Sequence, residues 1–163
     1  MTVRAYVPTT LRQLAEARER GRFAPAPVAA HAVTAALQAL DDGAGDEELE
    51  WAASTSASLD SLRLLAAEPG PEVGVLRRVV AAVDVPTVED DAGDDPSAVV
   101  LTEVPLRRLA ALLVDAPDAT PLVRAACEAL AAGAAGDHPA VERCLEEDLG
   151  WYAASELDLL LDG

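Results

Sequence analysis

Val75-Leu76-Arg77-Arg78-Val79-Val80-Ala81-Ala82-Val83-Asp84-Val85 is apolar at odd and even positions alike once its two arginines are passed. A strand with one wet face alternates apolar with polar, so this run reads as a strand covered on both faces, entered through Arg77 and Arg78 and left through Asp84. It needs a layer above and a layer below. Just upstream, Glu68 to Gly74 breaks the chain with two Pro and two Gly. Before that, Leu49, Ala52, Ala53, Ser56, Leu59, Leu62, Leu65 and Ala66 recur at close to helical spacing, which predicts a helix of about 22 residues from Asp46. Its opening acids, Asp46, Glu47 and Glu48, complement the helix dipole. Ser54, Thr55, Ser56, Ser58 and Ser61 in its middle are small enough to admit a close neighbour, and packing rather than catalysis is their expected role.

Downstream, Thr87 to Pro96 holds five acidic residues and reads as a flexible acidic loop, residues 87–97 at its widest. Ala98 to Val104 and Leu109 to Val114 follow as two more β-branched runs, joined most simply as a hairpin. At the other end, Val3 to Val7 reads as a strand, Thr10 with Gln13 as a capping pair, and Gly21 as the stop of the helix between them. Val28 to Val33 is a further strand, after which Thr34 caps a short helix to Leu40. Thr120-Pro121 and His138-Pro139 each place a cap before a proline at a first helical position. Leu149 to Ala153 reads as a short extended segment, and Ser155 with Asp158 as the cap of a last turn. Strands interleaved with helices give an α/β (α+β) single domain over residues 1–163, with a mixed sheet of about five or six strands and packed helices.

The chain has 163 residues and a formal charge of −17, and all 12 of its basic residues are Arg. An envelope of that sign repels phosphate, so neither nucleic acid nor an anionic membrane surface is an expected partner. No run approaches the roughly 18 apolar residues of a membrane span, and Met1 to Tyr6 lacks the features of a secretory signal, so the cytoplasm is the expected compartment. Hydrophobic residues are 51% of the chain but aromatic ones only 3%, so the core is built of methyl groups and the few rings stand out.

Tyr6-Val7-Pro8-Thr9-Thr10-Leu11, His31-Ala32-Val33-Thr34, Asp46-Glu47-Glu48-Leu49-Glu50, Val79 to Val85, Val114-Asp115, and Asp148-Leu149-Gly150-Trp151-Tyr152 with Glu156-Leu157 together resemble a small uncharacterised bacterial family found mainly in actinobacteria. The likeness covers nearly the whole chain. It implies a stand-alone cytoplasmic protein and transfers no catalytic residue.

The constellations that support catalysis do not reach their required spacing. Neither Asp41 to Glu48 nor Glu89 to Asp95 has the ligand order of a calcium loop, which leaves weak calcium binding as a third reading. Two Cys and two His, widely scattered, give no zinc pattern, and no metal or cofactor is expected. The serines around Ser56 lack the nucleophile elbow. His31 lies on an apolar run and reads as a packed or hydrogen-bonded histidine, and His138 as a helix cap. Cys127 and Cys144 read as reduced, half-buried thiols. Only a fold that brought His31 or His138 against a cysteine or serine in a sheltered cleft would restore catalysis.

Two features point to binding. Thr9, Thr10 and Arg12 lie at the start of a helix, where amides and a guanidinium can hold a small anion or a nucleotide. Trp151 and Tyr152 are adjacent, so in an extended segment they point to opposite faces and one of them stays exposed, available to a subunit contact. The favoured reading is therefore a non-enzymatic domain that associates with itself as a homodimer or with a less acidic protein, ahead of an anion sensor or enzyme built on the Thr9, Thr10 and Arg12 corner.

Overall fold

A computed structural model describes residues 1–68, 76–91 and 93–163. Nine strands and six helices occur among them: β1 (Val3–Thr9), α1 (Leu11–Arg20), β2 (Arg22–Phe23), β3 (Val28–Ala32), α2 (Ala35–Leu40), α3 (Asp46–Ala67), β4 (Val79–Val85), β5 (Glu89–Asp90), β6 (Ala98–Leu101), β7 (Val104–Pro105), β8 (Leu109–Val114), α4 (Thr120–Ala131), α5 (Pro139–Leu145), β9 (Gly150–Ala153) and α6 (Leu157–Asp162). Seven strands form one sheet in the order β5-β6-β3-β1-β4-β8-β9, while β2 and β7 form a separate ribbon. The fold is α+β, as the strand and helix alternation implied. Every pairing among the described residues is antiparallel, however, where a mixed sheet was expected.

The two-sided apolar run does become an interior strand. β4 lies between β1 and β8, with Val79, Val80, Ala81, Ala82, Val83 and Val85 all buried. The expected start at Val75 lies outside the described residues. Odd positions of β4 pack with Ala5, Val7, Leu112 and Val114 beneath α1, the β2-β7 ribbon and α6. Even positions pack with Tyr6 and Ala111 beneath α2 and α3. The far end of α3 builds a third cluster, in which Leu62 and Leu65 meet Val123 and Cys127 of α4 and Val141 and Cys144 of α5.

Local chemistry fixes the ends of these elements. The Gln13 amide donates to the Thr10 hydroxyl at the start of α1, and Gly21 takes the left-handed φ of 73° that ends it. Small residues set the height of α3 over the sheet: Ala53 and Ala57 touch its floor, and Ser61 donates to the Thr9 carbonyl at 2.8 Å while accepting from the Val79 amide at 3.0 Å. One hydroxyl thus ties a helix to two strands.

Four local expectations fail. Ala98–Leu101 and Leu109–Val114 do not form a hairpin, because the intervening chain makes a ribbon with β2 and a 3₁₀ turn at Leu106–Arg108 and delivers the two strands to opposite halves of the sheet. Apolar runs reveal strands but not their neighbours. Thr120 donates to the Pro117 carbonyl instead of capping α4, and Glu156 rather than Ser155 receives an amide at the last turn, that of Ala153. Within the acidic stretch, Glu89–Asp90 pairs with Val99–Val100 as an edge strand.

Candidate functional site

Thr9 and Thr10 are buried, whereas Arg12 is exposed on the first turn of α1. The Thr10 hydroxyl accepts from Gln13 and donates to the Glu68 carboxylate, so the entrance of α1 already faces an acid of the same chain. Thr9 points its carbonyl at Ser61.

A second polar cluster joins residues far apart in sequence. His31 of β3 is 4% exposed and holds Asp60 of α3 through Nε2 at 2.6 Å and the Ser97 hydroxyl through Nδ1 at 2.8 Å. Asp60 also accepts from Arg63 at 2.8 Å. Asp95 accepts both the Ser97 hydroxyl, at 2.7 Å, and the Ser97 amide, at 2.9 Å. Burial pushes the Asp60 carboxyl up, but the hydrogen bonds from His31 and Arg63 outweigh it and leave the group below its ordinary value. Burial likewise works against Asp95, and the two hydrogen bonds from Ser97 with the nearby His31 overcome it.

These are the residue types of a serine hydrolase triad, and the fold does bring His31 against a serine. Ser97 is 1% exposed, and a nucleophile must reach its substrate. Its hydroxyl is held between Asp95 at 2.7 Å and His31 Nδ1 at 2.8 Å inside the protein. The cluster acts as a clasp joining β3, α3 and the turn before β6.

Arg78, Asp115, the two cysteines and His138 are likewise part of the structural framework. Arg78 and Asp115, both fully buried, meet in two parallel hydrogen bonds at 2.8 and 2.7 Å; Asp115 also accepts the Arg78 amide, and Arg78 reaches the Glu147 carbonyl. Cys127 and Cys144 are buried and free, with thiols pushed by burial up to about 11 and therefore neutral at pH 7. His138 Nδ1 accepts from the Ala140 amide as the cap of α5. Among the described residues no group of three or more His, Cys, Asp or Glu side chains converges as metal ligands do.

Several hollows stay open, among them one of about 500 Å³ between α2 and the start of α3. On the α3 side of the sheet, β8 and β9 extend beyond the helix, and a cleft of about 870 Å³ runs between α3 and the Leu145–Leu149 turn, with Leu113 and Leu149 on its walls and Arg78 in its lining. It shares Trp51, Ser54 and Leu113 with a smaller hollow of about 260 Å³ lined by Tyr6, Ala82, Ala111 and Trp151. Trp51 is 65% exposed and Trp151 66%, the only two tryptophans of the chain. Tyr152 points to the opposite face of β9, packs on the other core cluster and accepts a hydrogen bond from Arg77 at 3.2 Å. Burial, with Glu50 nearby, pushes the Tyr6 phenol at the groove above its ordinary value.

A model of a family of unknown function, DUF6912, matches residues 3–161. The chain belongs to this family. No curated protein and no solved structure matches it. Membership in DUF6912 therefore brings no chemistry with it, and the groove and the clasp stand on their own geometry.

Trp51 was not singled out by sequence reasoning, although it sits off the stripe of Leu49, Ala53 and Ala57 that faces the sheet. A large ring on the wet side of α3 was the available signal. Ser97 was missed as well. Asp95-Pro96-Ser97 has the spacing of an Asx turn, but its histidine partner lies 66 positions away.

Proposed function

We propose that this DUF6912 protein acts by association, with the groove between Trp51 and Trp151 as its contact surface and either a less acidic protein or a second copy as its partner. The observation that carries this reading is that both tryptophans, in a chain poor in rings, stand two-thirds exposed over one hollow, which adjoins the larger cleft at Trp51, Ser54 and Leu113. Large rings beside a hollow are the residues that dominate binding energy when a partner covers them. The sealed Ser97 supports a binding role over a catalytic one. The lysine-free composition and the two reduced thiols support a bacterial, chiefly actinobacterial, cytoplasmic protein.

Selection of a random displayed peptide library on the full chain tests this reading. Enriched peptides are expected to lose about tenfold or more in affinity toward the Trp51→Ala/Trp151→Ala variant. Enriched peptides indifferent to both substitutions, together with a chain that stays monomeric in sedimentation at high concentration, would overturn it.

A further inference from the structure

The groove carries a charge pattern that names its occupant. Six acids border it: Glu47, Glu50, Glu142, Glu146, Glu147 and Asp148. None of the six is held in an ion pair among the described residues. The two arginines in the same lining are already committed, Arg4 to Asp84 at 2.7 Å and Arg78 to Asp115 at 2.7 Å. Cations native to the cleft are therefore neutralised by carboxylates outside the six, and the rim keeps its negative field. Among the described residues only Asp60, Asp84, Asp95, Asp115, Asp158 and Asp162 meet a cation, so what sets the rim apart is that its unpaired acids surround two exposed indoles.

From this we infer that the groove receives a basic segment of a partner protein, its arginine or lysine side chains over the indoles and against the acidic rim, its apolar side chains on Leu113 and Leu149. The inference rests on the association reading and narrows it to one kind of occupant. An indole face attracts a cation, and it does so more strongly when carboxylates nearby hold the cation in place. A second copy fits poorly, since it brings a charge of −17 toward a surface of the same sign. A small amine satisfies the rim but leaves the apolar floor uncovered.

Fluorescence anisotropy with three labelled octapeptides on the full chain tests the inference. One alternates arginine with leucine and serine, one replaces arginine by glutamine, and one replaces it by glutamate. The basic peptide is expected to bind about tenfold tighter than the glutamine peptide, to weaken about fivefold between 50 and 500 mM salt, and to displace no more easily with spermine than with sodium chloride of equal ionic strength. Glu50→Gln/Glu146→Gln/Glu147→Gln is expected to weaken it about fivefold and Trp51→Ala/Trp151→Ala about tenfold. Glu16→Gln/Glu19→Gln, exposed acids of α1 on the opposite side of the sheet, are expected to leave it within about twofold. Equal losses from the α1 and rim variants mean diffuse attraction and overturn the inference, as does displacement by spermine at low concentration. Tighter binding of the glutamine or glutamate peptide, sensitive to the Trp substitutions, sinks the basic occupant but leaves the association reading standing. A concentration-dependent dimer abolished by Trp51→Ala makes the occupant a second copy and also sinks it. Failure of all three peptides to sense either tryptophan, with a monomeric chain, removes both.

Discussion

The clasp around His31 and the groove beside Trp51 both draw on α3, through Asp60 and through Trp51, and they treat polar groups in opposite ways. At the clasp, polar groups meet one another within the chain: two carboxylates, an imidazole, a hydroxyl and a guanidinium close together. At the groove, six carboxylates and two indoles face outward with nothing opposite them among the described residues. Residue type misleads here. The clasp has the side chains of a hydrolase and no access, while the groove has no reactive group and ample room. Unused interaction capacity, rather than catalytic-looking composition, is what separates a binding surface from a structural tie.

If that contrast is right, damage to closed networks registers as lost stability and damage to the groove registers as lost binding. The largest loss is expected where closure is tightest. Asp115→Ala strands the buried Arg78 guanidinium and is expected to cost about 3–5 kcal/mol in urea unfolding. Arg78→Met/Asp115→Leu, which removes both charges together, is expected to recover most of that. A mild Asp115→Ala phenotype would mean that the pair is hydrated, and that the floor of the cleft is wetter than its burial implies.

The clasp comes next. Asp60→Asn and His31→Ala each leave polar partners unmatched, at an expected cost of about 1–3 kcal/mol near neutral pH. The pH dependence has a definite sign. Asp60 and Asp95 both titrate below their ordinary range in the folded chain, so their contribution is complete above the unfolded carboxylate value of about 3.9 and is lost as pH falls through the lower folded values. Unfolding midpoints between pH 5 and pH 2 should therefore fall steeply in the native chain and less steeply in Asp60→Asn. Equal slopes would show that the clasp does not set the acid limit of stability. A fluorophosphonate that labelled Ser97 in the native chain would reopen the reading of this cluster as a catalyst.

The sequence spoke clearly where the signal is local and faintly where pairing is distant. Gly21, Thr10 with Gln13, Thr34 and His138 act within one helical turn of themselves, and each end falls where the chain pattern places it. The β4 run shows its double burial because both of its faces are written in consecutive residues. β5 has only acids to show, and the partners of β6 and β8 depend on a crossover that no apolar run encodes. The same limit hid the clasp, whose three core members come from positions 31, 60 and 97. Trp151 was legible because adjacency with Tyr152 forces the two rings apart; Trp51 became half of a groove only when α3 was laid beside β8 and β9.

The smallest effect is the most telling. Trp51 and Trp151 are about as exposed as each other and bury little within the chain, so Trp51→Ala and Trp151→Ala should shift stability by no more than about 0.5 kcal/mol. Two such rings then have no part in folding, since removing them leaves the core clusters intact. A destabilisation of about 2 kcal/mol or more in either variant would instead place that ring among the structural side chains. In that case the groove would resemble the clasp, and the distinction between a surface that waits for a partner and a network already complete would collapse.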